Sequence, residues 1–191
     1  MPLFIVRHAE TVGNAARIIQ SPEAPLSDFG KSQAERLARR MQQSAITHII
    51  SSDFLRAMQT AEAVSRLTGV GIEMEPTLRE RDFGDLRGLS YDSLPMNPFD
   101  PSYSPPNGED RPTFLRRVAL GWERVSSLAA RMPGNLLVVT HGQVCRALVQ
   151  QHTQLAPGAS LPPTWMNTSV TAVDVGPPWR AQLVNCVAHL R

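Results

Sequence analysis

Two apolar runs in this chain stop at a histidine. Phe4-Ile5-Val6-Arg7-His8 lies near the start, and Leu136-Leu137-Val138-Val139-Thr140-His141-Gly142 lies far downstream. Short continuous apolar stretches bounded by polar residues read as strands buried on both faces, which occur in parallel sheets covered by helices. Two such strands separated by helical patterns constrain the chain toward an α/β sandwich.

The intervening sequence supports this reading. Residues 3–7 form a strand pattern and residues 9–26 a polar loop. Ser27 is a good N-cap for a helix carrying Ala34, Leu37, Ala38 and Met41 at spacings of three and four. Residues 46–50 read as a strand, and 53–67 as a helix with Ala57, Ala61, Val64 and Leu67 on one face, stopped by Gly69. Residues 70–75 read as a third strand. Segment 91–112 holds six prolines and reads as a lid or a passive surface loop. Residues 112–131 return to helix, 136–140 to strand and 142–152 to helix, and 168–175 with 180–188 form a final strand pair around a Gly-Pro-Pro turn. The expected fold is one domain over 1–191, a three-layer α/β/α sandwich with a mostly parallel central sheet and an antiparallel edge strand.

In open α/β sheets, ligands gather beyond the carboxyl ends of the strands. Three such ends carry polar groups: Arg7-His8, Ser51-Ser52 with Arg56 one turn on, and His141-Gly142. Were these strands neighbours, two imidazoles and two guanidiniums would converge, and the helix starting at Gly142 would aim backbone N–H groups at the same point. That is a site for an anion, most plausibly a phosphoryl group. Adjacent strand residues face opposite ways, so the first strand must end or twist at Arg7-His8 for both to reach one ligand.

For His8 the roles open are nucleophile, general base, metal ligand and core histidine. The flanking Arg7 and the lack of an HExxH or carboxylate ligand set count against a metal. A neutral imidazole nitrogen is a competent phosphoryl acceptor. His48, His152 and His189 read as structural. Transfer to a histidine also requires an acid for the leaving oxygen, and Leu78-Arg79-Glu80-Arg81-Asp82 offers Glu80 and Asp82, between which charge alone does not choose.

Arg7-His8-Ala9-Glu10-Thr11 with Asn14, Leu26-Ser27 with Gly30, Ser51-Ser52 with Arg56-Ala57 and Thr60-Ala61, Leu78-Arg79-Glu80 with Gly84, and His141-Gly142 occur in the order of the histidine phosphatase superfamily. The resemblance runs from residue 3 to about 142, and weakly on to Asn167 and Ser169. It implies the phosphoglycerate mutase-like fold, with His8 phosphorylated. Arg7, Arg56 and His141 would hold the phosphoryl oxygens with help from Asn14, and Gly142 would open the helix behind them. Glu80 matches the acid position. Gln20 and Ser21 fall where family members touch substrate. No metal or other cofactor is implied. Ala9 stands where glycine is commoner.

The function expected is hydrolysis of a small phosphorylated metabolite through phosphohistidine. A phosphoglycerate mutase and an inactive phospho-ligand-binding module are the alternatives. Mutases carry an adjacent basic pair for a second phosphate; here Arg116-Arg117 sits in a helical pattern, and Arg117 reads as a solvated face. Tyr91, Phe99 and Tyr103 could contact a leaving group or pack the 91–112 loop.

A net charge of +2 gives no basic stripe for nucleic acid. No apolar run approaches the ~18 residues of a membrane span, and no leader pattern precedes Arg7, so the expected location is the cytoplasm. Cys145 and Cys186 have no zinc or redox spacing and read as buried thiols. The last strands could pair with a second subunit, which leaves a homodimer open.

Overall fold

The computed structural model describes residues 2–191. Seven strands among them form one sheet: β1 (Pro2–Arg7), β2 (Ile46–Ser51), β3 (Ile72–Met74), β4 (Asn135–Thr140), β5 (Gln154–Leu155), β6 (Val170–Asp174) and β7 (Arg180–Cys186), in the order β3-β2-β4-β1-β6-β7-β5. The helices are α1 (Val12–Ala15), α2 (Asp28–Gln42), α3 (Leu55–Thr68), α4 (Arg111–Arg131) and α5 (Gly142–His152).

The sheet is covered on both faces, as its strand sequences demand. Along β4, Leu136 and Val138 join a core cluster with Phe114, Val118 and Val125 of α4 and with Val144 and Leu148 of α5. The alternate residues Leu137 and Val139 join Leu37 and Met41 of α2 and Ala57, Ala61 and Val64 of α3. Period-two alternation thus feeds two cores rather than one core and solvent. The fold is the expected α/β sandwich. The strand that runs against the others is β6, antiparallel to both β1 and β7. It does not lie at an edge, because β7 and the unanticipated β5 continue the sheet outside it.

Helix boundaries follow local chemistry. Ser27 Oγ accepts from Gly30 N–H at 2.9 Å and opens α2, and Asp110 caps α4 by accepting from Thr113 N–H at 2.8 Å. Gly69, at φ 74°, closes α3 in the left-handed conformation. Leu67, expected on the buried face of α3, is instead 38 % exposed in its last turn. Gly30 has a different reason: a Cβ there would lie 1.9 Å from the Glu10 carbonyl, so only glycine lets α2 approach the loop after β1.

Register brings the strand ends together. β1 pairs with β4 from Leu3↔Leu136 to Arg7↔Thr140, and β2 pairs with β4 as far as Ser51↔Val139. Beyond the strands, His8 N–H donates to the Thr140 carbonyl at 2.8 Å and Ser52 N–H to that of Val139 at 3.0 Å. His8, His141 and Ser52 therefore leave three adjacent strands at one level.

Candidate active site

Residues just beyond the ends of β1, β2 and β4 line a cavity of about 1140 Å³; His141, also expected there, is fully buried and does not line it. Arg7, His8, Asn14, Gln20, Arg56, Glu80 and Gly142 all line it. The obstacle of alternation is resolved at the sheet's end. Arg7 turns toward α5, where a Cβ on Gly142 would lie 3.6 Å from its Nε. His8 turns to the opposite face, where Arg56 of α3 donates from Nε to His8 Nε2 at 3.3 Å. The two side chains meet over the edge from opposite sides.

Two hydrogen bonds select the tautomer of His8. Nδ1 lies 2.7 Å from the Ala9 carbonyl, an acceptor, so Nδ1 carries the proton. Nε2 then holds a lone pair, which the Arg56 N–H faces. His8 is 2 % exposed. Burial first, then the charges of Arg56 and Arg7, hold its pKa well below the usual histidine value. It is a neutral imidazole whose Nε2 lone pair is directed at the Arg56 guanidinium.

His141 sits at the N-cap of α5, its ring centroid 5.1 Å from that of His8. Its Nε2 lies 2.8 Å from Ser52 Oγ, and its buried Nδ1 has no protein partner. Burial and then Arg56 hold it neutral as well. Arg56 donates from Nη1 to the Ser21 carbonyl at 2.9 Å, and burial lowers its pKa to about 10, which leaves it cationic at neutral pH.

The structure separates the two candidate acids. Asp82 Oδ1 accepts from Gly84 N–H and from Arg87 Nη2, both at 2.7 Å, which makes it a turn residue with its own cation. Glu80 faces the cavity and accepts only backbone N–H groups, from Arg81 at 3.0 Å and Gln143 at 3.3 Å. Burial outweighs these bonds and the nearby arginines and raises its pKa. A carboxyl that keeps its proton longer than usual beside a nucleophile suits a general acid.

Asn14 Oδ1 accepts from Thr11 N–H at 3.2 Å and Thr11 Oγ1 at 3.1 Å, inside a capping box. Gln20 Oε1 accepts from Thr11 Oγ1 at 2.5 Å. Ser21 does not line the cavity; its backbone carbonyl orients Arg56. Among the described residues, no group of three His, Cys, Asp or Glu is placed to hold a metal ion.

Two features went beyond the sequence, although the resemblance ran weakly to the first, Asn167. Asn167 Nδ2 donates to the His8 carbonyl at 2.9 Å and to Asn14 Oδ1 at 3.3 Å. Thr168 N–H, next along the chain, reaches the Arg7 carbonyl at 3.0 Å from a backbone at φ 54°. This clamp holds the turn from Arg7 to His8; the left-handed residue that shapes it carries no glycine to announce it. Arg117 is the second. Expected as a solvated helix face, it is half-buried, donates to the carbonyls of Thr77, Arg79 and Glu80, and forks onto Glu109. Three carbonyls and two carboxylate oxygens within reach outweigh hydration. Arg117 fixes the backbone that presents Glu80.

The remaining histidines take structural positions. His152 stacks on Trp122 at 5.1 Å. His189 bridges Arg40 and Thr168, each at 3.1 Å, and His48 lies in β2. Cys145 is buried and Cys186 half-buried, both as free thiols.

A buried pair of imidazoles, with Arg7 and Arg56 close by, thus stands at the carboxyl ends of a mostly parallel sheet in an α/β protein. The chain belongs to the histidine phosphatase superfamily (branch 1), whose family model matches residues 3–186. It is 31 % identical over 204 residues to phosphoglycerate mutase-like protein 4 of Arabidopsis thaliana, covering 98 % of this chain and 86 % of that one. It is 32 % identical to the probable phosphoglycerate mutase GpmB of Yersinia enterocolitica, covering 95 % and 88 %. Among solved structures it is similar to a mycobacterial glucosyl-3-phosphoglycerate phosphatase in complex with VO3, at 26 % identity and a TM-score of 0.82 over 97 % and 98 % of the two chains. No helix among the described residues is long and apolar enough to cross a membrane.

Proposed function

We propose that this protein hydrolyses small phosphomonoesters through a phosphohistidine on His8. The observation that carries the reading is a buried His8 whose Nε2 lone pair faces Arg56, with Glu80, its pKa raised by burial, lining the same cavity. The relation to a protein named as a phosphatase supports it.

In the first step His8 Nε2 attacks phosphorus and the bond from phosphorus to the ester oxygen breaks. Glu80 gives its proton to the departing alkoxide, so an alcohol leaves and Glu80 becomes a carboxylate. Arg7 and Arg56 take up the charge on the non-bridging oxygens, with Asn14, His141 and the first N–H groups of α5 completing the cradle. In the second step water attacks the phosphohistidine, Glu80 accepts its proton and inorganic phosphate leaves. Charge stabilisation rests on the guanidiniums, so EDTA should leave the rate unchanged. An EDTA-sensitive activity restored by a divalent cation would contradict that part of the reading.

Hydrolysis of 4-nitrophenyl phosphate by the wild type and by His8→Ala tests the proposal. Near wild-type turnover by the variant would refute it. The mutase reading is favoured by the names of the curated relatives. It requires 2- and 3-phosphoglycerate to interconvert faster than free phosphate appears, which a coupled assay measures.

A further inference from the structure

The turn that carries His8 is held by a residue in a conformation its own side chain disfavours. Thr168 is fully buried and sits at φ 54°. A β-branched residue is an outlier in the left-handed region, and such a backbone persists only where its surroundings over-determine it. Three contacts do so here. The Thr168 N–H is shared between the carbonyls of Arg7 at 3.0 Å and His8 at 3.3 Å. Its Oγ1 donates to the Asn167 carbonyl at 2.8 Å. The third contact comes from a distant part of the chain: His189 Nε2 lies 3.1 Å from the same Oγ1.

The other neighbour of that imidazole decides where its proton sits. Arg40 Nη1, in the last turn of α2, lies 3.1 Å from His189 Nδ1. A guanidinium only donates, so Nδ1 accepts and Nε2 carries the hydrogen. His189 therefore donates to Thr168 Oγ1, which leaves the hydroxyl hydrogen for the Asn167 carbonyl. The donors run one way, from Arg40 through His189 and Thr168 to Asn167. Burial, then the charges of Arg40 and Arg36, lower the His189 pKa to about 4, so this arrangement lasts through the neutral range. Neither His189 nor Thr168 lines the cavity. The short turn that carries His189, Ala188–Leu190, is also held by Arg36, whose Nη1 donates to the Leu190 carbonyl at 2.9 Å.

Resting on the reading of His8 as the nucleophile, we propose that His189 is a positioning residue for phosphoryl transfer, acting through Thr168 on the turn from Arg7 to His8. By gripping Oγ1 it keeps Thr168 left-handed. That conformation aims the Thr168 N–H at the Arg7 and His8 carbonyls and sets the adjacent Asn167, whose Nδ2 reaches the His8 carbonyl at 2.9 Å. The His8 ring follows its own backbone, because Nδ1 is tied to the Ala9 carbonyl at 2.7 Å. Without the donor at His189, Thr168 relaxes toward an ordinary backbone and His8 Nε2 loses its aim beside Arg56.

Three variants separate this role from packing. His189→Gln keeps an N–H for Thr168, His189→Leu fills similar space without a donor, and His189→Glu pairs with Arg40 but offers Thr168 only an acceptor. With 4-nitrophenyl phosphate, His189→Leu and His189→Glu should each lower kcat about 5- to 10-fold with KM within about twofold, while His189→Gln stays within about twofold of the wild type. The Tm of His189→Glu should stay near the wild-type value. Thr168→Val should lower kcat to a similar extent, and adding His189→Leu to it should lower kcat no further. Equal kcat in all three His189 variants, or independent losses from Thr168→Val and His189→Leu, would overturn the proposal. Should the wild type hydrolyse no phosphomonoester, the phosphatase reading fails by itself. The positioning role is then decided by the ¹⁵N shifts of the His8 ring, which should move in His189→Leu and hold in His189→Gln. Shifts that hold in both, or move equally in both, would overturn it.

Discussion

The pocket around His8 and the wall that faces it share one cavity but are built differently. The pocket stands on strand ends and first helical turns, and His8, Arg56 and His141 are each under 4 % exposed. The opposite wall comes from short turns and loop between Pro76 and Arg111. There Phe83, Phe99 and Tyr91 meet edge to face at 5.5 and 5.1 Å, and Gly84 presses against Pro106, whose carbonyl would lie 2.1 Å from a Cβ at that position. One region is fixed by the sheet's register, the other by side chains holding a loop down. Chemistry belongs in the first, where reacting groups must not drift. Selection among substrates belongs in the second, where loops vary without disturbing the sheet.

Substitutions can break this division, and the largest effect should come from the pocket. His8→Ala should lower kcat on the order of 10⁴-fold, since no other nucleophile lines the floor. Glu80→Gln should cost about 10²- to 10⁴-fold with substrates whose alcohols leave poorly, and less with 4-nitrophenol as leaving group. Because a raised pKa keeps Glu80 protonated longer, the phosphorylation step should fade as pH rises through that pKa, and Glu80→Gln should remove this basic limb. Asn167→Ala, which loosens the clamp on the His8 carbonyl, should lower kcat roughly 10-fold with little change in KM. A change confined to KM would mean that Asn167 touches substrate instead.

Stability should divide along the same line. Leu137→Ala, beneath the pocket and fully buried, should cost about 2–5 kcal/mol. Phe99→Ala, on the partly exposed loop, should cost nearer ~1 kcal/mol and shift KM rather than kcat. The pocket's titratable groups also destabilise, with opposite pH dependence. His8 and His141 have folded pKa values below the unfolded value of ~6.5, so the unfolded chain binds more protons and Tm should fall as pH drops below about 6.5. Glu80 is raised, so the folded chain binds more protons there, and its penalty is complete once pH exceeds the folded pKa. Glu80→Gln should therefore raise Tm at pH ~7.5 while lowering activity. A lower Tm for that variant would show that the arginines need the Glu80 charge more than burial opposes it.

The pocket was also the part written most plainly in the sequence. Apolar runs stopping at His8 and His141, and Arg56 one turn past Ser51-Ser52, announced themselves because strand ends and helix starts are local events. The choice of Glu80 over Asp82 was not legible from charge, since both sit among arginines; it turned on which carboxyl is held by Gly84 N–H and Arg87 and which accepts backbone N–H groups alone. Arg117 was misread because helical periodicity reports which face a residue occupies, not whether carbonyls of a distant turn await it. The clamp at Asn167 and Thr168, to which the resemblance ran only weakly and with no role, and the two-residue β5 escaped for the same reason: each is defined by partners more than twenty residues away in the chain. Leu67 shows the converse, a periodic position left partly exposed in the last turn of its helix.

The central claim is that His8 carries the phosphoryl group between two steps. Rapid acid-free quenching of the wild type during turnover of a ³²P-labelled phosphomonoester, followed by peptide mapping, tests it most directly. The account predicts an alkali-stable, acid-labile label on the peptide containing His8, more persistent in Glu80→Gln and missing in His8→Ala. Turnover with no covalent label, or a label on any other residue, would contradict it.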